Sequence, residues 1–306
     1  FSDQNLGVQW RPDAWYNAYD GVKIGARIKT AHLSEWHKVD AGMYYSTGLG
    51  QGPTTGDANG FQTVSWFVNY STRLDDFLPN GTFKAYAGQL DGLDKYTGAF
   101  SLKSRNSNTE VGILTTYMNR KEEDFTNYLF DEREWGVDML NAFMEFSIAH
   151  KYSHNTGFGG WKMALRGNAP GSDYNYGFVS MESKNRQEVL GVPLNVRVYG
   201  QYGWGDSYAP ESMLYLAGAN PETRYENPVS RSAGFIPADW GTYGNESNNF
   251  HESGGLNLRG YAGYLTPYQA PGDFQKITYR GTTGASISME LPWTELLNLH
   301  MNSLEK

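Results

Sequence analysis

Val22-Lys23-Ile24-Gly25-Ala26-Arg27-Ile28-Lys29 is the stretch whose reading decides the fold. Val22, Ile24, Ala26 and Ile28 interleave with Lys23, Gly25, Arg27 and Lys29, so an extended segment here has one apolar and one charged face. The same period of two returns at Val39-Ala41-Met43-Tyr45, Val64-Trp66-Val68-Tyr70, Tyr96-Gly98-Phe100-Leu102 and Val111-Ile113-Thr115-Tyr117. It continues at Ala142-Met144-Phe146-Ile148, Trp161-Met163-Leu165, Val196-Val198-Gly200-Tyr202 and Ala285-Ile287-Met289-Leu291, with weaker windows near Phe83 to Leu90 and Tyr176 to Met181. These make about a dozen strands of roughly 8 to 12 residues, the length a tilted strand needs to cross a bilayer. Turn signals separate them at Asn80-Gly81, Asp91-Gly92, Asn106 to Asn108 and Gly171 to Asp173.

Composition narrows the class. The 306 residues are 15% aromatic, carry 36 glycines and are only 19% charged. So much aromatic and β-branched surface must be covered, which excludes a disordered chain. A mean hydropathy of -0.59, with no apolar run of 18 residues, excludes a membrane-spanning helix. The absence of cysteine removes disulfide frameworks, cysteine–zinc sites and thiol catalysis together. A formal net charge of -8 argues against a nucleic-acid partner, which would want a basic face. Phe1 opens no signal peptide, so the sequence reads as mature, trimmed or part of something longer.

Two architectures fit the alternation. A soluble sandwich or barrel turns its apolar face inward, whereas a membrane barrel turns it outward around a polar lumen. Lys23, Arg27, Asp40, Lys84, Lys103, Glu110, Glu145, Lys162, Arg166, Glu182, Arg197 and Glu290 all fall on the second face of otherwise apolar strands. Tyr and Trp recur at strand ends (Trp10, Trp15, Tyr44, Tyr45, Trp66, Tyr70, Tyr117, Tyr152, Trp161, Tyr202, Trp204), where membrane interfaces favour amphipathic rings. The expected fold is therefore all-β: an antiparallel transmembrane β-barrel, with residues 1–306 as one domain. One long stretch without alternation, 207–255, is rich in Pro, Asn, Gly and Ser. It reads as a functional loop, extracellular or folded into the lumen. Asp131 to Asn141 reads as a small helix or part of another loop.

Catalytic signatures are missing. The chain has no His-Glu-x-x-His, no Gly-x-Ser-x-Gly and no phosphate-binding Gly-Lys-Ser/Thr. His150 and His154 would suit zinc on a helix, but at a strand end they stand about 13 Å apart and read as interfacial side chains. Glu122, Glu123, Asp124, Asp131, Glu132 and Glu134 form an acidic run that reads as a solvated loop, with a calcium site as the alternative.

One local motif stands apart. Gly254-Gly255-Leu256-Asn257-Leu258-Arg259-Gly260-Tyr261 closes the long loop. Its glycines let the backbone turn tightly or pass close to other structure. Arg259, carried into a narrow cavity, requires a carboxylate, because an unpaired buried guanidinium is expensive. Glu290 is the candidate partner, since it alternates with Ala285, Ile287, Met289 and Leu291 and so faces the lumen on the next strand.

These residues carry a resemblance. Leu258-Arg259-Gly260-Tyr261 resembles the (V/L)RG(F/Y) signature of the outer-membrane surface-antigen superfamily, which includes the BamA-type insertases and the two-partner secretion transporters. The run Gly281 to Pro292 follows the same family's Gly-rich strand, with Glu290 on the family's carboxylate. Leu214-Tyr215-Leu216-Ala217-Gly218 resembles the segment at the loop's entrance, and Arg11 to Gly25 the first-strand pattern. Ser232 to Trp240, with Asn249-Phe250, is similar to barrels fused behind gluzincin aminopeptidase-like domains.

The resemblance implies a barrel of sixteen strands in the outer membrane of a Gram-negative bacterium. About twelve would lie in this chain, and the rest would come from a separate polypeptide or from beyond Lys306. It implies protein translocation or insertion, or anchoring of a fused periplasmic or surface peptidase-like domain. The alternative from another class is a passive porin for small solutes. The implied surroundings are outer-membrane lipid and lipopolysaccharide, with protein partners in an outer-membrane complex and no nucleic acid. No cofactor is expected in this chain; zinc would belong to an upstream aminopeptidase-like domain.

Overall fold

The fold is that of a computed structural model that describes residues 7–17, 21–30, 37–49, 64–76, 78–90, 92–121, 136, 138–189, 192–216, 218–226, 254–258 and 280–291. Its first eleven strands are β1 (Val8–Asn17), β2 (Gly21–Thr30), β3 (His37–Ser46), β4 (Val64–Arg73), β5 (Gly81–Leu90), β6 (Leu93–Lys103), β7 (Thr109–Arg120), β8 (Leu140–His154), β9 (Gly157–Asn168), β10 (Asn175–Val189) and β11 (Val192–Ser207). The long loop holds the short β12 (Leu214–Tyr215) and the five-residue helix α1 (Pro221–Tyr225), and the short β13 (Arg280–Gly281) and β14 (Gly284–Glu290) come after it. Strands β1 to β11 and then β14 form one 12-stranded antiparallel sheet, each strand paired with its neighbour in that order. β12 and β13 make a separate two-stranded piece. Among the described residues β1 and β14 are the two edges, and the sheet is not closed into a barrel.

Every alternating window of the sequence lies on a strand, save Leu291, which falls just past the end of β14. The turn residues act as their types demand: Asn80 (φ 62°), Asn108 (φ 49°) and Gly171 (φ 87°) take the left-handed conformation that lets the chain reverse. β8, β10 and β11 reach 15, 15 and 16 residues, longer than the apolar stretches alone require. Their ladders run on past the apolar stripe into polar residues such as Lys184 to Glu188. β1 alternates Val8, Trp10, Ala14 and Tyr16 with Gln9, Arg11 and Asp13, but Pro12 on its apolar face interrupts its run of backbone donors. Proline is tolerated in edge strands, and β1 is an edge paired only with β2 through Trp10↔Ile28 and Asp13↔Gly25. The stretch Arg11 to Gly25 is therefore divided between two strands rather than forming one. Asp131 to 135 lie outside the described residues, and Leu140 and Asn141 already open β8.

Register aligns the apolar side chains into continuous rows. Ile113 pairs with Phe146, Phe146 with Leu165, Leu165 with Val179 and Val179 with Tyr202. That face is left open: Ile287 is 67% exposed, Met43 65% and Phe146 52%. The opposite, polar face holds the buried side chains, among them Lys23 at 0% and Arg166 at 8%. Burial is thus inverted relative to a soluble β-protein. The polar face is also hollow, since Gln9 on β1 and Leu114 on β7 line one cavity of about 570 Å³.

The two rims differ. One carries the turns after β4, β6, β8 and β10, the shortest of them 155–156 and 190–191. The other carries the short connections 18–20, 91–92 and 169–174 together with the long ones, 47–63, 121–139 and the passage from β11 to β14.

Candidate functional site

The long loop leaves β11 at Ser207 and folds back over the polar face instead of standing away from the rim. A 3-10 turn at Pro210–Ser212 starts this strap, Pro at its first position supplying a preset φ. β12 follows, then α1, where Asn220 caps the first turn: its Oδ1 accepts from the Thr223 backbone N–H at 3.0 Å. The strap crosses β10, β9 and β8 and ends over β6 and β5. There the Tyr225 hydroxyl donates to the Leu90 carbonyl at 2.9 Å, and its ring packs among Leu90, Leu93, Met118 and Phe143. Lys95, itself buried, reaches Glu226 at 2.7 Å.

Arg166 is the main fastening. Its Nε and one terminal nitrogen donate to Glu145 Oε2 at 3.1 and 2.8 Å, and the other donates to Glu222 Oε2 at 2.7 Å. The guanidinium lies 3.8 Å from the centre of the Phe143 ring and 4.9 Å from that of Phe178. Glu145 and Arg166 are register partners on β8 and β9, whereas Glu222 comes from the strap. The geometry therefore ties loop to sheet by charge-assisted bonds in a partly dry site, where each is stronger than in water. Burial alone would push the Glu222 carboxyl up, but the Arg166 charge outweighs it and holds the group below the ordinary carboxylate range.

A second fastening lies beside the first. Asn141 Nδ2 donates to Glu211 Oε1 at 2.6 Å and to Ser212 Oγ at 3.0 Å, while its Oδ1 accepts from the Tyr176 hydroxyl at 2.9 Å. Ser212 Oγ donates to Glu222 Oε2 at 2.9 Å, which joins the two fastenings into one network. Glu211 has no cation against it in that network. Burial pushes its carboxyl up to about 7, against the hydrogen bonds from Asn141 and the Gly136 backbone that favour the charged form.

The strap returns at 254–258. Gly254 (φ 145°) and Gly255 (φ 46°) turn the backbone tightly against β12, and a Cβ on Gly255 would stand 2.5 Å from the Gly218 carbonyl oxygen. The backbone N–H groups of Leu256 and Leu258 donate to the carbonyls of Tyr215 and Leu216. Arg197, paired with Glu182 at 2.6 Å, donates to the Gly255 carbonyl at 2.8 Å. A cavity of about 330 Å³ lies beneath the strap, lined by Glu145, Lys162, Glu182, Tyr199 and Gln201 among others.

Of the predicted motif, Gly254, Gly255, Leu256, Asn257 and Leu258 thus lie against the polar face. Arg259, Gly260 and Tyr261 lie outside the described residues. Glu290 shares the face of Ser286 and Ser288 on β14, and Ser288 registers against Arg197, the residue that holds Gly255. His150 and His154 sit on β8 with Tyr152 stacked between them, and His150 also meets Trp161 in a tilted contact. Among the described residues no three His, Asp or Glu side chains form a group that could hold a metal ion. Residues 122–135, with the acidic run, lie outside them.

Two aromatic side chains read as rim residues are placed differently. Trp15 and Tyr44 fall on the polar face, where the Tyr44 hydroxyl donates to Asp13 at 2.9 Å. The requirement that an inward arginine find a carboxylate, applied above to Arg259, holds equally for Arg166 and Arg197. Applied to them it would have pointed to Glu145 and Glu182. Glu211, Ser212 and Glu222 gave no such signal, because nothing in a Pro- and Asn-rich loop fixes where its side chains go. The chain matches no family model and no curated protein.

Proposed function

We propose that this chain is a transmembrane β-barrel of a Gram-negative outer membrane. In this reading it serves protein translocation or insertion, as the surface-antigen resemblance implies, with the strap folded into its lumen. The observation that carries the reading is the inverted burial. Leaving Ile287, Met289, Met163, Leu165, Phe146 and Tyr202 in water would sacrifice apolar contact worth about 1.5–3 kcal/mol for each fully buried side chain. Lipid against that face removes the cost, and the charges of the other face then line an aqueous interior.

Aromatic rings outline two belts on the apolar face. Tyr45, Trp66, Tyr117, Tyr202 and Trp204 lie towards the long-loop rim, and Tyr70, Phe83, Tyr152 and Trp161 towards the short-turn rim. Amphipathic rings favour the headgroup level, which suits contact with lipid and lipopolysaccharide. Short turns on the periplasmic side would place the strap's origin outside. Closing the sheet then requires β1 and β14 to pair with each other or through further strands, because lipid tolerates no open edge. Anchoring of an upstream peptidase-like domain uses the same barrel; any zinc would belong to that domain.

A passive porin is the second reading. It is favoured by the open cavities over β1 to β6, where charges of both signs face the hollow.

The test uses the protein's lack of cysteine. Single cysteines placed in turn from Lys162 to Arg166, in protein reconstituted into vesicles, should alternate. Labels at Met163 and Leu165 should be quenched by brominated lipid, and that at Lys162, on the open part of the other face, by aqueous iodide. Equal aqueous quenching along the strand would overturn the membrane reading. Conductance separates the two functions: closed channels that open when 208–226 are deleted fit a plugged translocator, and steady conductance of the intact protein fits a porin.

A further inference from the structure

The polar face over β1 to β6 carries more rings than a wetted surface explains. Trp15, Tyr44, Phe67, Tyr86 and Tyr225, from β1, β3, β4, β5 and α1, all line one cavity of about 500 Å³. Three of them form a wall: the Trp15 and Tyr44 rings meet edge-on at 6.3 Å, and Tyr44 and Phe67 lie nearly parallel at 6.4 Å. Inward rings over β8 to β10, such as Phe143 and Phe178, are buried under Arg166 and the strap, whereas these line an open hollow.

Planar polar groups fringe the wall. Arg27 lies 5.4 Å from the Phe67 ring centre while its two nitrogens bond Asp40 at 2.7 and 2.6 Å. Asp13 faces Tyr44, and the Asn69 amide opens onto the hollow. Fixed rings edged by carboxylate, guanidinium and amide groups suit a ligand with apolar C–H faces and hydroxyl edges, which is a sugar ring. A volume of this size is that of a small-molecule site.

The hollow continues. A second cavity of about 570 Å³ shares Asn69, Tyr86 and Thr97 with the first, so the ligand is elongated. Lys29, Lys38 and Lys84 line this part against the single carboxylate Asp40, in a chain whose formal net charge is -8. A local excess of cations on an acidic protein selects anionic groups.

We propose that the polar face over β1 to β6 binds an acidic oligosaccharide, its sugar rings on the Trp15–Tyr44–Phe67 wall and its anionic groups towards Lys38 and Lys84. The site does not depend on whether the chain translocates protein, and its test needs no membrane.

Titration calorimetry on the full chain in detergent, with tetragalacturonate, tetramannuronate, neutral cellotetraose and tetraglutamate as probes, decides the matter. At least one uronate tetramer should bind, cellotetraose more weakly and tetraglutamate not at all. Phe67→Ala and Tyr86→Ala should each weaken uronate binding about tenfold, the scale of a lost ring contact of roughly 1.4 kcal/mol. Lys84→Gln should weaken it a few-fold and flatten its salt dependence. Because Phe67→Ala could disturb the sheet, Asn69→Ala, at an open position, serves as the second variant and should also weaken binding. No heat with either uronate, equal binding of tetraglutamate, or variants that bind like the parent would overturn the proposal.

Discussion

One sheet carries two differently furnished halves on its polar face. Over β7 to β11 the strap closes down, and its carboxylates are spoken for by Arg166 and Asn141 in a nearly dry network. Over β1 to β4 the charges pair within the sheet, as in Arg27–Asp40, whose side chains stay about a quarter exposed. The same ladder geometry supports both, so the difference lies in what is laid over it. A covered charge holds a loop because the alternative is an unpaired ion in a dry site. An open charge pair has water as a ready substitute and holds little.

The sharpest way to break the comparison is Arg166→Ala. It leaves Glu145 and Glu222 facing each other without their cation, a loss of about 3–5 kcal/mol if the strap stays in place. The strap escapes part of that cost by lifting into water. Limited proteolysis should therefore cut within 208–226 in the variant and not in the parent, alongside a lower unfolding midpoint. An unchanged digest would show that the fastening lies elsewhere.

Glu211 gives the next effect and makes it depend on pH. Its folded carboxyl keeps a proton up to about pH 7, whereas the same group in the unfolded chain releases it near 4.5. The folded state binds the extra proton between those values. The contribution is fully present below pH 4.5 and is lost as pH rises through 7, up to about 3 kcal/mol. Strap protection measured by hydrogen exchange at Asn141 and Tyr176 should fall from pH 5 to pH 8. Glu211→Gln should flatten that profile, and a parent profile that is already flat would remove Glu211 from the fastening.

Gly255→Ala probes the returning end. At φ 46° a side chain is strained, and its Cβ would meet the Gly218 carbonyl, at a cost of roughly 1–3 kcal/mol. The expected result is a lower midpoint in heat-modified gel mobility, with the sheet intact by circular dichroism. Arg259→Ala should lower it in the same assay if that side chain pins the loop as the motif implies. Parent mobility in both would separate the Gly-rich turn from barrel stability.

Most of the sheet was legible in the sequence because a period of two is a local signal that survives any tertiary context. Strands such as β3 and β7 declare themselves in Val39-Ala41-Met43-Tyr45 and Val111-Ile113-Thr115-Tyr117. β1 carries the same alternation in Val8, Trp10, Ala14 and Tyr16, but Pro12 in its middle masks it, and only its edge position makes that proline tolerable. The inward turn of Gly254-Gly255 was legible from the glycines. The carboxylates of the strap were not: Glu211 and Glu222 acquire their roles from partners 70 and 56 residues away, and no local spacing encodes such pairings. Trp15 shows the opposite failure, for an aromatic at a strand end has two faces to choose from and its residue type does not choose. The alternation of β3, by contrast, already set Tyr44 with Asp40 and Ser46 on the polar face.

Arg27→Ala is the smallest effect and completes the test of the two halves. The pair it breaks has two short bonds, 2.7 and 2.6 Å, and on geometry alone it rivals Arg166 with Glu145. Exposure decides otherwise. Both side chains keep 25% of their surface in solvent, and Lys29 stands 3.6 Å from Asp40, ready to take over part of the neutralisation. Solvent screening and that substitute leave an expected loss of about 1 kcal/mol or less, shrinking further as salt is raised. The unfolding midpoint of Arg27→Ala in low and high salt checks both points. A loss as large as that of Arg166→Ala would mean that the open half is held as tightly as the covered one, and that bond geometry rather than cover sets the strength of charges on this face.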